Sequence, residues 1–245
     1  FCAFDKVAMG GATEKYAASA NLAREPQDEL AAKSHERAAS AIKDGKFADE
    51  IVPVEIPQRK GDPILFDTDE GVRPGTTAES LGALKPAFAK DGTITAGNAS
   101  QISDGGAAVI VASKAAAEKL GVKPLGEIVS YGQVAGPNAS LLTQPSQAIQ
   151  RALGKVGKSV SDVSLFELNE AFAAVGLASM DELGITDDIV NVNGGAIALG
   201  HPVGMSGTRV ALTLLLELAR RGGGLGAAAL CGGGGQGDAI LLQTL

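Results

Sequence analysis

Three short segments bring together residue types that can move a proton or steady a developing negative charge. They are Asn169-Glu170-Ala171-Phe172, the run GGAIALGHPVGMSGTR from Gly194 to Arg209, and CGGGGQG from Cys231 to Gly237. His201 lies in the Gly200-His201-Pro202 turn and is one of two histidines in the chain. Imidazole titrates near neutral pH and can serve as base and then as acid. The proline and flanking glycines stiffen that turn and let backbone approach, although a hydrogen-bonding loop histidine is the plainer alternative. Cys231 is followed by four glycines, which open the thiol to a ligand and expose N–H groups able to face an oxyanion. The alternative is an inert buried thiol. Asn169 suits either a helix N-cap or an amide that holds a water or a substrate oxygen. Glu170 suits a helix N-terminus, and Phe172 suits plain core, although aromatics are scarce. Gly232, Gly234 and Gly237 satisfy GxGxxG, but a strand rather than a helix follows and only eight residues remain. A dinucleotide fingerprint is therefore rejected.

The first hundred residues hold weaker signals. The small-residue loop GNASQISDGG, Gly97 to Gly106, places Ser100 where it can touch a ligand or merely make a turn. Arg73, beside Pro74, suits a phosphate or plain solvent. His35 sits within a helical pattern and reads as structural.

These candidates need a scaffold, and the pattern of residues supplies one. Phe1 to about Ser103 reads as irregular and relatively charged, with a helix from Pro26 to Asp44, a short strand from Glu50 to Ile56 and a loop from Asp67 to Thr77. From Ala107 onward strands and helices alternate. Strands are predicted at Ala107–Ala112, Leu125–Val134, Val163–Leu168, Ile189–Asn193, Ala227–Cys231 and Asp238–Leu242. Helices are predicted at Lys114–Leu120, Ser146–Leu153, Glu170–Leu183 and Met205–Arg220. Such alternation predicts the α/β class, with helices on the faces of a sheet and the three segments at strand ends, where open α/β sheets place their sites.

Composition narrows the function. Twenty-one basic against 28 acidic residues give a net charge of -7, opposite to the clustered basic surface of a nucleic-acid binder. No apolar run approaches the ~18 residues of a membrane span, so neither nucleic acid nor membrane is an expected partner. Two cysteines, Cys2 and Cys231, without a CxxC pair, and two histidines argue against a disulfide framework or a metal centre. The balance points to a cytoplasmic, reduced setting. Aromatics at 4% and 33 glycines imply a core filled by Ala, Val, Ile and Leu with closely approaching backbones.

Taken together the segments resemble the thiolase family, in its acetyl-CoA acetyltransferase branch. The resemblance runs over essentially the whole chain: MGGATEK, the SH-containing helix, EIVPVEI, GTITAGNASQISDGGAA, NEAFA, GGAIALGHPVGMSGTR and CGGGGQGDA. The last three are the most specific, with 32 residues from Asn169 to His201 and 30 from His201 to Cys231. The resemblance implies a thiolase-like fold of layered αβαβα type. It implies a loop domain over residues 1–103 that covers coenzyme A and helps assemble tetramers, a returning segment of the N-terminal half at 104–121, and a C-terminal domain at 122–245.

It also implies chemistry: two acetyl-CoA condense reversibly to acetoacetyl-CoA and CoA through an acetyl-cysteine, with no cofactor and no metal. His201 then activates the nucleophile, Cys231 exchanges the α-proton, Asn169 holds a water beside the enolate oxygen, and the Gly233 N–H steadies the tetrahedral intermediate. Arg73, Ser80, Phe88 and Ser100 fall at coenzyme A contacts, and Met9 and Phe172 line the pantetheine and acyl path. Met205 stands where many relatives have Ala and bears on acyl length. The family nucleophile is a cysteine upstream of this sequence, and Cys2 lies outside its motif. The chain is thus expected to be a fragment, inactive alone, of a homotetrameric enzyme. The rival expectations are a degradative 3-ketoacyl-CoA thiolase of longer chain preference and a non-catalytic acyl-CoA-binding relative.

Overall fold

Glycine and alanine decide how closely the layers approach. In the computed structural model, which describes residues 1–245, a mixed four-stranded sheet organises the second half. Its strands are β3 (Gly126–Ala135), β4 (Leu165–Leu168), β5 (Leu225–Gly232) and β6 (Gln236–Thr244), in the order β3-β6-β5-β4. β6 runs antiparallel to β3 and β5, and β4 runs parallel to β5 with Leu168 opposite Ala229. Helices α5 (Gln144–Lys155) and α6 (Ala173–Leu183) cover one face, and α8 (Ser206–Arg220) covers the other. A Cβ added at Gly132 of β3 would overlap the Ala148 carbonyl of α5, and one at Gly237 of β6 would overlap that of Gln144. Only glycine at those points lets the helix backbone rest on the sheet.

Period-two alternation splits β4 and β5 between two apolar clusters. Phe166, Leu168, Ala227 and Ala229 pack with Ile149 and Leu183, while Leu165 and Ala228 pack with Val210, Leu214 and Leu218 of α8. Glu167 therefore points to the α8 side, in the middle of a strand whose four residues are all buried.

The first part of the chain folds around α2 (Arg24–Lys43), which packs on α6 and on α7 (Ala196–Leu199). With it come α1 (Met9–Ser19), a hairpin of β1 (Val54–Ile56) and β2 (Ile64–Phe66), and α3 (Ala78–Gly82). Helix α4 (Lys114–Leu120) is capped by Ser113 and closed by a left-handed Gly121, as the sequence predicts.

Three expectations need correction. The N-terminal part is less irregular than predicted: α1, with Gly10 and Gly11 in its first turn, forms because Ala12 and Ala17 are wholly buried on its inner face. Residues 107–112 form no strand. No strand of the chain lies beside them to complete a ladder, and Ile110 is 97% exposed. Residues 189–193 make a single bridge, Val190 to Phe166, rather than a strand. Asn191 has a left-handed backbone, φ 46°, and its side-chain amide replaces the ladder. It accepts from Leu168 N–H at 2.8 Å and donates to the Leu168 carbonyl at 2.7 Å.

Candidate active site

The parallel pair β4–β5 brings two of the candidates to one sheet edge. Asn169 directly follows β4, and Cys231 lies near the end of β5; the Asn169 N–H donates to the Ala229 carbonyl at 3.0 Å. Asn169 is buried and does not cap α6, whose N-cap is Phe172. Its side chain reaches His201 in the turn between α7 and α8, with Nδ2 at 3.2 Å from the imidazole Nε2. On the other side of the ring, Nδ1 is 2.6 Å from the Ser206 hydroxyl, and that hydroxyl donates to the Pro202 carbonyl at 2.8 Å.

A hydroxyl has one proton to give. With it spent on Pro202, Ser206 accepts from His201 Nδ1–H, which leaves Nε2 with its lone pair toward Asn169. Desolvation first, and the Arg209 guanidinium second, hold the His201 pKa below its ordinary value. The imidazole is thus a neutral base with its reactive nitrogen defined. Ser206 was not singled out by the sequence reading; its signal was a hydroxyl at the helix start five residues after the histidine. Asn169 Oδ1 is buried without a protein partner, a state that calls for a polar ligand such as water.

Cys231 packs against the cluster of Ala17, Leu141, Leu142, Ala174 and Val175, together with Met9 and Phe172. The residue keeps some exposed surface, but crowding around the thiol desolvates it and pushes its pKa up to about 12. Cys231 therefore rests as a thiol, ready to give a proton. Gly233 follows in the β5–β6 turn. Its carbonyl accepts from Gln236 Nε2 at 2.8 Å, and its N–H donates to no protein acceptor. A Cβ there would lie 3.7 Å from Met9 Sδ, so Met9 covers this turn. Phe88 meets Phe172 edge to face, with ring centroids 6.3 Å apart. Ser100 runs beside them, its N–H donating to the Ala171 carbonyl at 3.1 Å. Met9, Phe88, Ser100 and Phe172 thus gather around the Cys231 end of the sheet.

Arg73 and Ser80 lie elsewhere. They line a cavity of about 250 Å³ with His35, Thr76, Leu81 and Gln101. His35 is indeed structural in one respect: its Nδ1 accepts the Arg73 N–H at 3.1 Å and so fixes that loop. Burial first and Arg73 second keep its pKa below the ordinary value. The Ser80 hydroxyl is engaged in a capping box with Thr77, donating to the Thr77 carbonyl at 2.8 Å. Gln101 joins this cavity to the histidine turn, since its Nε2 donates to the Ile197 and Ala198 carbonyls at 3.0 and 2.8 Å. Glu170, read as a helix-dipole residue, instead ties elements together. It is buried and accepts from Ser34 Oγ, Asn191 Nδ2 and Ile197 N–H.

Two family models account for nearly all of this arrangement. Residues 1–115 match the thiolase N-terminal domain and residues 122–244 the thiolase C-terminal domain. The chain belongs to the thiolase family. Among curated thiolase relatives it is 62% identical to a probable acetyl-CoA acetyltransferase of Mycolicibacterium smegmatis, over 96% of this chain and 61% of that protein. It is 50% identical to an acetyl-CoA acetyltransferase of Thiocystis violacea, over 99% of this chain and 62% of that protein. The thiolase fold itself is matched by the Bacillus anthracis acetyl-CoA acetyltransferase, with a TM-score of 0.95 and 42% identity over all of this chain and 62% of that one. Human mitochondrial 3-ketoacyl-CoA thiolase matches at a TM-score of 0.93 and 42% identity, over 98% of this chain and 60% of that one. The chain spans about three-fifths of the length of these relatives.

Proposed function

We propose that the protein is an acetyl-CoA C-acetyltransferase, joining two acetyl-CoA to acetoacetyl-CoA and CoA and running in reverse as a thiolase. One observation carries this reading: His201 is held as a neutral base between Asn169 and Ser206, at the end of the sheet where β4 finishes and Cys231 lies one residue before the end of β5. In this proposal the acetyl group rides on a cysteine outside these 245 residues, and Cys2 has no part. Cys2 is buried near the N-terminus, where its sulfur accepts the Asp5 N–H.

His201 takes the proton of the attacking thiol at Nε2. Cys231 returns a proton to the enolate carbon in the cleavage direction, which suits a group that rests as a thiol. The oxygen of that enolate is met by His201 and by a water on Asn169, and the oxyanion on the acylated thiol by the Gly233 N–H. We assign Arg73 and the surrounding cavity to coenzyme A, with Ser80 shaping the cavity through the α3 cap. The path lined by Met9, Phe88, Ser100 and Phe172 is assigned to pantetheine and the acyl group. The loop domain at 1–103, the returning segment at 104–121, the C-terminal domain at 122–245, a homotetramer, a cytoplasmic setting and independence from metals and cofactors are parts of the same proposal. No helix is long and apolar enough to cross a membrane.

Thiolysis of acetoacetyl-CoA by CoA in the whole protein tests the reading. Turnover supports it, and silence with properly folded protein removes it. A longer-chain 3-ketoacyl-CoA thiolase is the second reading, raised by the match to the human mitochondrial enzyme of that name. Rates that fall as the acyl chain lengthens select the first reading, and rates that rise select the second.

A further inference from the structure

We propose that Arg209 and Glu167 form a positioning pair for His201, clamping the first turn of α8 to the end of β4. The inference rests on the reading of His201 as the working base. The imidazole is held from both sides, and the two holders come from different elements. Ser206 is the first residue of α8, and Asn169 is the first residue after β4. Arg209 lies three residues beyond Ser206, and Glu167 two residues before Asn169. Arg209 Nη1 donates to Glu167 Oε2 at 3.1 Å, with side chains only 15% and 4% exposed. The contact thus bridges the two anchors of the ring about one turn behind them.

Stability alone gives little reason for this pair. Leu165, on the same face of β4, already packs on Val210 and Leu214 of α8. A well-packed apolar pair is commonly as stable as a buried carboxylate and guanidinium, because desolvation offsets most of their attraction. Directional N–H···O geometry does what an apolar contact does not: it fixes how far α8 slides along β4. A slip of a few tenths of an ångström there would loosen Asn169 or Ser206 from the ring. The guanidinium also lies among further carboxyls. Glu50 accepts from Thr213 of α8 at 2.6 Å, and Asp69 feels the Arg209 charge. The carboxyl oxygen of Glu167 accepts from Arg209 whether or not that carboxyl is protonated, so the clamp does not require a charged Glu167.

The test uses three variants of the whole protein: the apolar double variant Glu167→Leu with Arg209→Met, the conservative Glu167→Gln, and Glu167→Leu alone. Histidine labelled with nitrogen-15 reports the tautomer of His201, with His35 as internal reference, and does not depend on any activity. In the parent protein His201 carries its proton on Nδ1. The double variant is expected to fold and to populate the Nε2–H tautomer. Its kcat should drop by about tenfold or more with KM within about twofold, because the coenzyme A cavity is untouched. Glu167→Gln keeps the accepting oxygen and should retain the parent tautomer and kcat. If the double variant does not fold, the comparison passes to Glu167→Leu against Glu167→Gln. A folded clamp-less variant that keeps the Nδ1–H tautomer and the parent kcat overturns the proposal. Should the parent protein lack thiolysis altogether, the functional reading falls, while the tautomer experiment still decides whether the clamp exists.

Discussion

At the residue scale the proposed chemistry depends on which groups are neutral at rest. His201 is depressed by burial and Arg209, so it is a base at neutral pH, and Cys231 is raised to about 12 by burial, so it is a thiol. Because the thiolate is the nucleophile toward alkylating agents, Cys231 should react with iodoacetamide far more slowly in the folded protein at pH 8 than in urea, as read by mass spectrometry. Equal rates would remove the shielding argued for it. His201→Ala should lower the thiolysis rate by about 10²–10⁴-fold, the usual worth of a positioned base. Glu167 gives a pH signature in stability. Burial pushes its pKa from 4.5 up to about 8 against the pull of Arg209, so the folded state holds the proton more tightly than the unfolded chain. That contribution is full below about pH 4.5 and lost as pH rises toward 8. Urea midpoints of Glu167→Gln should therefore decline less between pH 5 and 8 than those of the parent.

At the element scale the sequence was most informative where a helix or strand carries its own signals. Helices α2, α5 and α8 and strands β3, β5 and β6 stand within a few residues of where their apolar periodicity and glycine stops put them. It was least informative where pairing depends on a distant partner. Residues 107–112 have strand composition without a neighbouring strand, and residues 189–193 are supported by one asparagine amide instead of a ladder. Helix α1 was missed because its glycines mask a helix stabilised by burial of Ala12 and Ala17. The packing of α8 on the sheet is open to a direct test. Leu214 is 1% exposed in the cluster of Leu165, Val210, Leu218 and Ala228, and Leu214→Ala should cost about 2–5 kcal/mol in urea unfolding. A loss under about 1 kcal/mol would mean that this layer contributes little.

At the scale of the whole molecule the candidate residues divide between two neighbourhoods, and the sequence motifs alone did not show the division. Asn169 and His201 touch beyond the end of β4, and Cys231 and Gly233 lie at the end of the adjoining β5, with Met9, Phe88, Ser100 and Phe172 gathered there. Arg73 and Ser80 line a separate cavity that Gln101 connects to the histidine turn. Asn169, His201 and Cys231 were legible from the residues because each sits beside a strand end or glycine turn, while Gly233, Met9 and Phe88 came from the family resemblance. Neither route gave Ser206 or the Arg209–Glu167 contact, which depend on how α8 seats against β4. In the proposed reading coenzyme A is bound at the Arg73 cavity and protons are exchanged at the sheet end. The central claim is that Cys231 exchanges a proton at substrate carbon and does not carry the acetyl group. The most direct test incubates the whole protein and its Cys231→Ser variant with acetyl-CoA, then reads intact mass and acetoacetyl-CoA. The expected result is one acetyl adduct on both proteins and acetoacetyl-CoA from the parent alone. Loss of the adduct in Cys231→Ser, or undiminished acetoacetyl-CoA from it, would contradict that claim.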